Sequence, residues 1–206
     1  MVQAGRSAAA CPECGPCPVR AASCVPPCYS RVTAPSGSLG RVRSIELVLT
    51  PASDAAVRAA WDELVSDGLP SLGRHVSESN APHVTLVAGP DLPVPSRIDA
   101  PLPARLRLGG VLLFPAGPER SVLVRAVVVD PALAAFHAAV HRAVPGGVDT
   151  SLPGAWSPHV SFARRVRDAD LARALAALRR APLPDELEVG GLRAWDGETK
   201  TVTPLA

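Results

Sequence analysis

Cysteine is absent from residue 29 onward in this 206-residue chain, which rules out a cysteine nucleophile in all but its first segment. Aromatic residues make up only 3% of the chain. Beyond residue 43 they are Trp61, Phe114, Phe136, Trp156, Phe162 and Trp195, few surfaces on which to stack a ring. No stretch reaches the roughly 18 uninterrupted apolar residues of a membrane span, so no membrane partner is expected. Residues 1–30 lack the basic start and apolar run of a secretory leader, and a cytoplasmic protein is the expectation. Also missing are a glycine-rich phosphate loop, a G-x-S-x-G elbow and a G-x-G-x-x-G run, and with them the nucleotide and hydrolase chemistries those motifs serve.

What is present divides in two. Residues 1–43 hold Cys11, Cys14, Cys17, Cys24 and Cys28, five arginines and one acid, Glu13. The C-x2-C spacing suits a zinc knuckle or a disulfide-rich strip. A composition dominated by Pro, Ala, Gly and Ser, with no apolar periodicity and no histidine, favours a disordered Cys/Pro-rich extension instead. Residues 44–206 carry 16 basic and 18 acidic side chains, a net of −2. A surface that tracks a long duplex is usually basic, because affinity comes from neutralising phosphates. A small or terminal phosphate ester is the better ligand for this domain.

The periodicity predicts strands at 44–50, 83–88, 106–114, 121–129 and 159–163, and a closing hairpin of 187–195 with 199–203. Helices are predicted at 54–67, with Ser53 or Asp54 as cap, at 131–144 and at 168–180. Strand, helix, loop and strand thus occur twice. An offset of 76 residues lays Asp54 on Asp130, Val57 on Leu133, Leu64 on Val140 and His83 on His159. The expected fold is α+β: duplicated strand–helix–strand lobes related by a pseudo-twofold, with antiparallel sheets around a central cleft.

The two later strands open alike, as Ala81-Pro82-His83-Val84-Thr85-Leu86 and Ser157-Pro158-His159-Val160-Ser161-Phe162. Alternate strand side chains share a face, so His83 aligns with Thr85 and His159 with Ser161. Brought to one cleft, two imidazoles and two hydroxyls suit phosphodiester cleavage without a metal or cofactor. One neutral imidazole takes a proton from the attacking oxygen, and the other, protonated, supplies one to the departing oxygen. The hydroxyls of Thr85 and Ser161 hold the non-bridging oxygens. Pseudo-symmetry leaves the roles open, with a lean to His159 as base and His83 as acid. One H-x-[ST] would say little; two copies in matched contexts are hard to attribute to packing.

Other histidines and arginines carry less. His137 and His141 have the i, i+4 spacing of a zinc pair but no intervening Glu, and an ordinary amphipathic helix face explains them. His75 stands alone in a loop. Arg164, Arg165 and Arg167 read as a solvated face that could also assist phosphate binding. Arg125 lies mid-strand, with alternation compatible with either face.

The paired motifs over about residues 43–206, with SIELVLT and the terminal RAWDGE, resemble the 2H phosphoesterase superfamily, which includes the 2′-5′ RNA ligase and cyclic phosphodiesterase families. That resemblance implies a bilobal α+β fold and metal-independent action on 2′,3′-cyclic or 2′-5′ phosphodiesters of RNA ends or nucleotides. A monomer is expected. Trp156, three residues before His159, is the candidate for base stacking. The rival reading is a module that holds a nucleotide or RNA end in the same cleft without turnover.

Overall fold

The computed structural model describes residues 42–77 and 79–205. The cysteine-bearing extension assigned from the sequence falls almost entirely outside them. The elements run β1 (Val42–Leu49), α1 (Pro51–Ser66), β2 (His83–Pro90), β3 (Arg105–Pro115), β4 (Arg120–Val127), α2 (Pro131–Ala143), β5 (His159–Arg167), α3 (Leu171–Arg180), β6 (Glu186–Asp196) and β7 (Thr201–Leu205). Every strand pairing is antiparallel. The α+β expectation holds.

Strand order is β2-β1-β6-β3-β4-β5, with β7 added beside β6. Read from the centre outward, β6-β1-β2 mirrors β3-β4-β5, which is what a pseudo-twofold through the β3–β6 pairing requires. Each central strand changes partner along its length. Arg105–Arg107 pair with Glu186–Glu188, after which β3 runs beside β4 and β6 beside β1. Both change partner at a glycine pair where the register shifts, Gly109-Gly110 in β3 and Gly190-Gly191 in β6. A Cβ at Gly190 would lie 2.5 Å from the Leu49 carbonyl oxygen, so glycine is required there. The surrounding segments, LRLGGVL and LEVGGLR, are themselves alike.

The helix correspondence needs correction. Thr50, not Ser53 or Asp54, caps α1, its hydroxyl accepting from the Ser53 amide. Asp130 caps α2 by accepting from Leu133. Each cap is followed by proline, which lacks the amide that a first helical turn leaves unbonded. Asp54 sits inside the first turn of α1 and pairs with Arg58. The helices therefore match at an offset of 80, pairing the buried positions Val57 with His137, Ala60 with Val140 and Leu64 with Val144. About four extra residues before β2 return the histidines to an offset of 76. The strands also depart from expectation: β5 continues to Arg167, and β7 begins at Thr201 because residues 197–200 form the turn.

The core lies between helices and sheet: Ile45, Leu47, Trp61 and Leu64 in one half, Leu123, Phe136, Val140 and Phe162 in the other. At the junction Leu106 faces Leu187, both essentially inaccessible to solvent. Leu106→Ala should cost about 2–5 kcal/mol. Because the lobes share these strands, urea unfolding followed by circular dichroism and tryptophan fluorescence should keep one coincident transition at a lower midpoint. Two separated transitions would show the lobes to be independent.

Candidate active site

The proline before each histidine shapes the site. A residue preceding proline is pushed to extended backbone, which carries the carbonyls of Ala81 and Ser157 to within reach of the rings two positions on. His83 Nδ1 lies 2.7 Å from the Ala81 carbonyl, and His159 Nδ1 lies 2.7 Å from that of Ser157. A carbonyl only accepts, so each Nδ1 carries the hydrogen and donates it. Each Nε2 is then the nitrogen without a hydrogen in the neutral ring.

The strands holding the two motifs are not hydrogen-bonded to each other. They are the two ends of the sheet path, drawn together by a reciprocal pair of tryptophans. Trp61 of α1 donates its indole N–H to the Ser161 carbonyl at 3.0 Å. Trp156, from the loop before β5, donates to the Thr85 carbonyl at 2.9 Å. Each lobe thus grips the hydroxyl-bearing residue of the other. Two cavities meet there. One, of about 650 Å³, is lined by His83, Thr85 and Ser161 with Glu46, Arg164 and Arg193 among others. The second, of about 370 Å³, contains His159, Phe114, Trp156 and again Thr85. His159 is held below the usual histidine range, chiefly by burial and further by the charge of His83, against the bond to Ser157. Thr85 lines both cavities, so the four motif residues share one cleft.

The halves are not chemically equal. The β1–β6 partners Glu46 and Arg193 lie opposite Thr85, where the second lobe has the β4–β3 partners Val124 and Leu112 opposite Ser161. Glu46 is 3% exposed, and its Oε2 accepts from Arg193 Nε and Nη2, both at 2.8 Å. Its Oε1 accepts from the Ser44 hydroxyl at 2.6 Å and stands 3.6 Å from His83 Nε2. Against His159 lies the ring of Phe114, at 4.8 Å between centroids.

Other residues proposed from sequence separate clearly. Trp156 does reach the His159 side, but one face is already covered by His137, stacked at 3.8 Å and 5°. His137 is a brace: its Nε2–H lies 3.0 Å from the carbonyls of both Leu86 and Ser151, with the His141 ring edge-on at 4.6 Å. His75 and Arg164 line the larger cavity. Arg167 instead bonds Asp170, and Arg125 donates to the Gly109 carbonyl from the face opposite Ser161. Sequence reasoning missed Glu46, Arg193 and the grip of Trp61. An acid within the apolar SIELVLT and an arginine within GLRAW were the available signals.

The family model described as the 2′-5′ RNA ligase superfamily matches residues 54–201. No curated protein matches the chain. Among solved structures, Usb1 of Kluyveromyces marxianus is similar at 14% identity and a TM-score of 0.43, covering 81% of this chain and 99% of that one. The same protein with uridine monophosphate is similar at 15% identity and a TM-score of 0.42, with the same coverage.

Burial lowers the pKa of both His137 and His159. Below the ordinary histidine range the unfolded chain then binds more protons than the native one, so stability is full above about pH 6.5 and falls as pH drops through the lowered values. Urea midpoints measured from pH 7.5 to pH 5 should decline. His137→Gln, which keeps an amide donor but cannot titrate, should flatten the decline; an unaltered slope would remove His137 from this account.

Proposed function

The chain belongs to the 2′-5′ RNA ligase superfamily, and from that premise we propose a metal-independent phosphodiesterase acting on 2′,3′-cyclic phosphate or 2′-5′ phosphodiester bonds of RNA ends or nucleotides. The observation that carries the reading is the matched pair of Nδ1 bonds at 2.7 Å, which leaves two Nε2 atoms free for proton transfer beside two hydroxyls.

The surroundings support distinct roles. An imidazolium at His83 has the Glu46 carboxylate 3.6 Å from Nε2. One at His159 has Phe114 beside it and is opposed by burial. His83 is therefore the acid and His159 the base. In hydrolysis of a cyclic phosphate, His159 Nε2 takes a proton from water as the water oxygen bonds to phosphorus. The bond from phosphorus to one ribose oxygen breaks, and His83 Nε2–H protonates that oxygen. Thr85 and Ser161 donate to the non-bridging oxygens, whose charge grows toward the transition state. The product is a nucleoside monophosphate with one freed hydroxyl; solvent then restores both histidines.

Hydrolysis of 2′,3′-cyclic nucleotides with EDTA present is the direct test. Wild type should turn over, and His83→Ala and His159→Ala should each lose about 10²–10⁴-fold, the usual contribution of a general acid or base. Unchanged turnover in both variants overturns the assignment, and loss on chelation points to a metal enzyme. Tight nucleotide binding without product at any pH would make the cleft a binding module. The sign of the pH dependence follows from His159. Its neutral form persists below the ordinary range, so the acidic limb of kcat/KM should fall below about pH 6.5. A limb above that value would reassign the base.

A further inference from the structure

The cavity on the His83 side is cationic in a domain that is acidic overall. Among the described residues, Arg74, Arg164, Arg193 and Lys200 line it against one carboxylate, that of Glu46. Arg193 already satisfies Glu46 through two bonds. The other three cations come from separate elements: the loop before β2, β5, and the turn between β6 and β7. Arg74 donates to the Val65 carbonyl and Lys200 lies over the Trp195 ring at 5.2 Å. Neither they nor Arg164 have a carboxylate partner among the described residues. Three unneutralised cations around one concavity focus a positive potential there.

The cavity on the His159 side is the converse. Phe114, Trp156, Val148 and Ala88 form its apolar walls beside the neutral hydroxyls of Thr85, Thr150, Ser151 and Ser157, and among the described residues His159 is its sole ionisable group. The contrast is built into equivalent positions of the duplicated sheet. Ser44, Glu46, Arg193 and Trp195 in the first lobe answer to Val122, Val124, Leu112 and Phe114 in the second. A ligand spanning the two cavities would place its apolar ring by His159 and its anionic part by His83.

Resting on the phosphodiesterase reading, we propose that the larger cavity is a second phosphate subsite. It takes a phosphate beyond the reacting one, so that the preferred substrate is a phosphodiester bearing a further phosphate rather than a simple nucleoside cyclic phosphate. Arg74 and Lys200 set this preference.

The test compares uridine 2′,3′-cyclic phosphate with the same compound carrying a 5′-phosphate. Wild type should favour the latter roughly tenfold in kcat/KM, mostly through KM, as three partly exposed ion pairs of ordinary strength would give. Raising the salt concentration should shrink the ratio. Arg74→Gln with Lys200→Gln should cut it to roughly twofold, the share left to Arg164, whereas Arg179→Gln, which removes an exposed cation of α3, should preserve it. Equal wild-type kcat/KM for both compounds, or an equal loss on both in the double variant, overturns the subsite. If wild type turns over neither compound, the catalytic reading fails separately. Calorimetric titration with the same two compounds then decides the subsite by the ratio of their Kd values.

Discussion

A carbonyl oxygen cannot give a proton, and the site depends on that one-sidedness. Because the carbonyls of Ala81 and Ser157 claim the Nδ1 hydrogens of His83 and His159, each ring is held in one tautomer, with the Nε2 lone pair left open in the neutral form. The prolines make this possible. They hold the preceding residue extended, and as the first residue before each strand they leave no ladder donor unmet. Two pieces of local backbone chemistry thereby orient the two imidazoles before any tertiary contact is counted.

Tertiary structure then brings the pair together, by a route that differs from simple strand pairing. β2 and β5 lie at opposite ends of one sheet path, and the indoles of Trp61 and Trp156 cross between them to the carbonyls of Ser161 and Thr85. A buried indole N–H requires an acceptor, so two of the tryptophans near the cleft are committed to holding its halves. For Trp156 that duty, with His137 against one face, leaves a single face for any ligand. The brace at His137 works on the same strand: its bonds to Leu86 and Ser151 tie the first motif to the loop that carries Trp156.

Much of this was legible in the chain itself, for physical reasons that also set the limit. The motif faces follow from strand alternation, a local rule, and the duplicated strand–helix–strand order follows from periodicity. The α1 boundary was misread because Ser53 and Asp54 are both good caps, while the residue chosen by the fold is Thr50, ahead of a proline. The Gly-Gly repeat at 109–110 and 190–191 was visible but had no meaning until β3 and β6 were known to change partners there. Glu46 and Arg193 are 147 residues apart. Nothing local says that they meet.

That distant pair also resolves a difficulty inherent in duplication. A pseudo-twofold supplies two alike histidines, yet the proposed cleavage needs one to be neutral while the other is protonated. The motifs cannot make the distinction, since His-Val-Thr and His-Val-Ser offer the same groups with the same Nδ1 bonds. The difference must come from positions that are equivalent in the sheet and unlike in chemistry. A carboxylate lies opposite Thr85 where an isopropyl group lies opposite Ser161. Placing an unpaired carboxylate at 3% exposure would be costly, so Glu46 is tolerated only because Arg193 and Ser44 satisfy it from adjacent positions. The stable burial of that pair and the unequal partnering of the two histidines are thus one feature of the first lobe, not two.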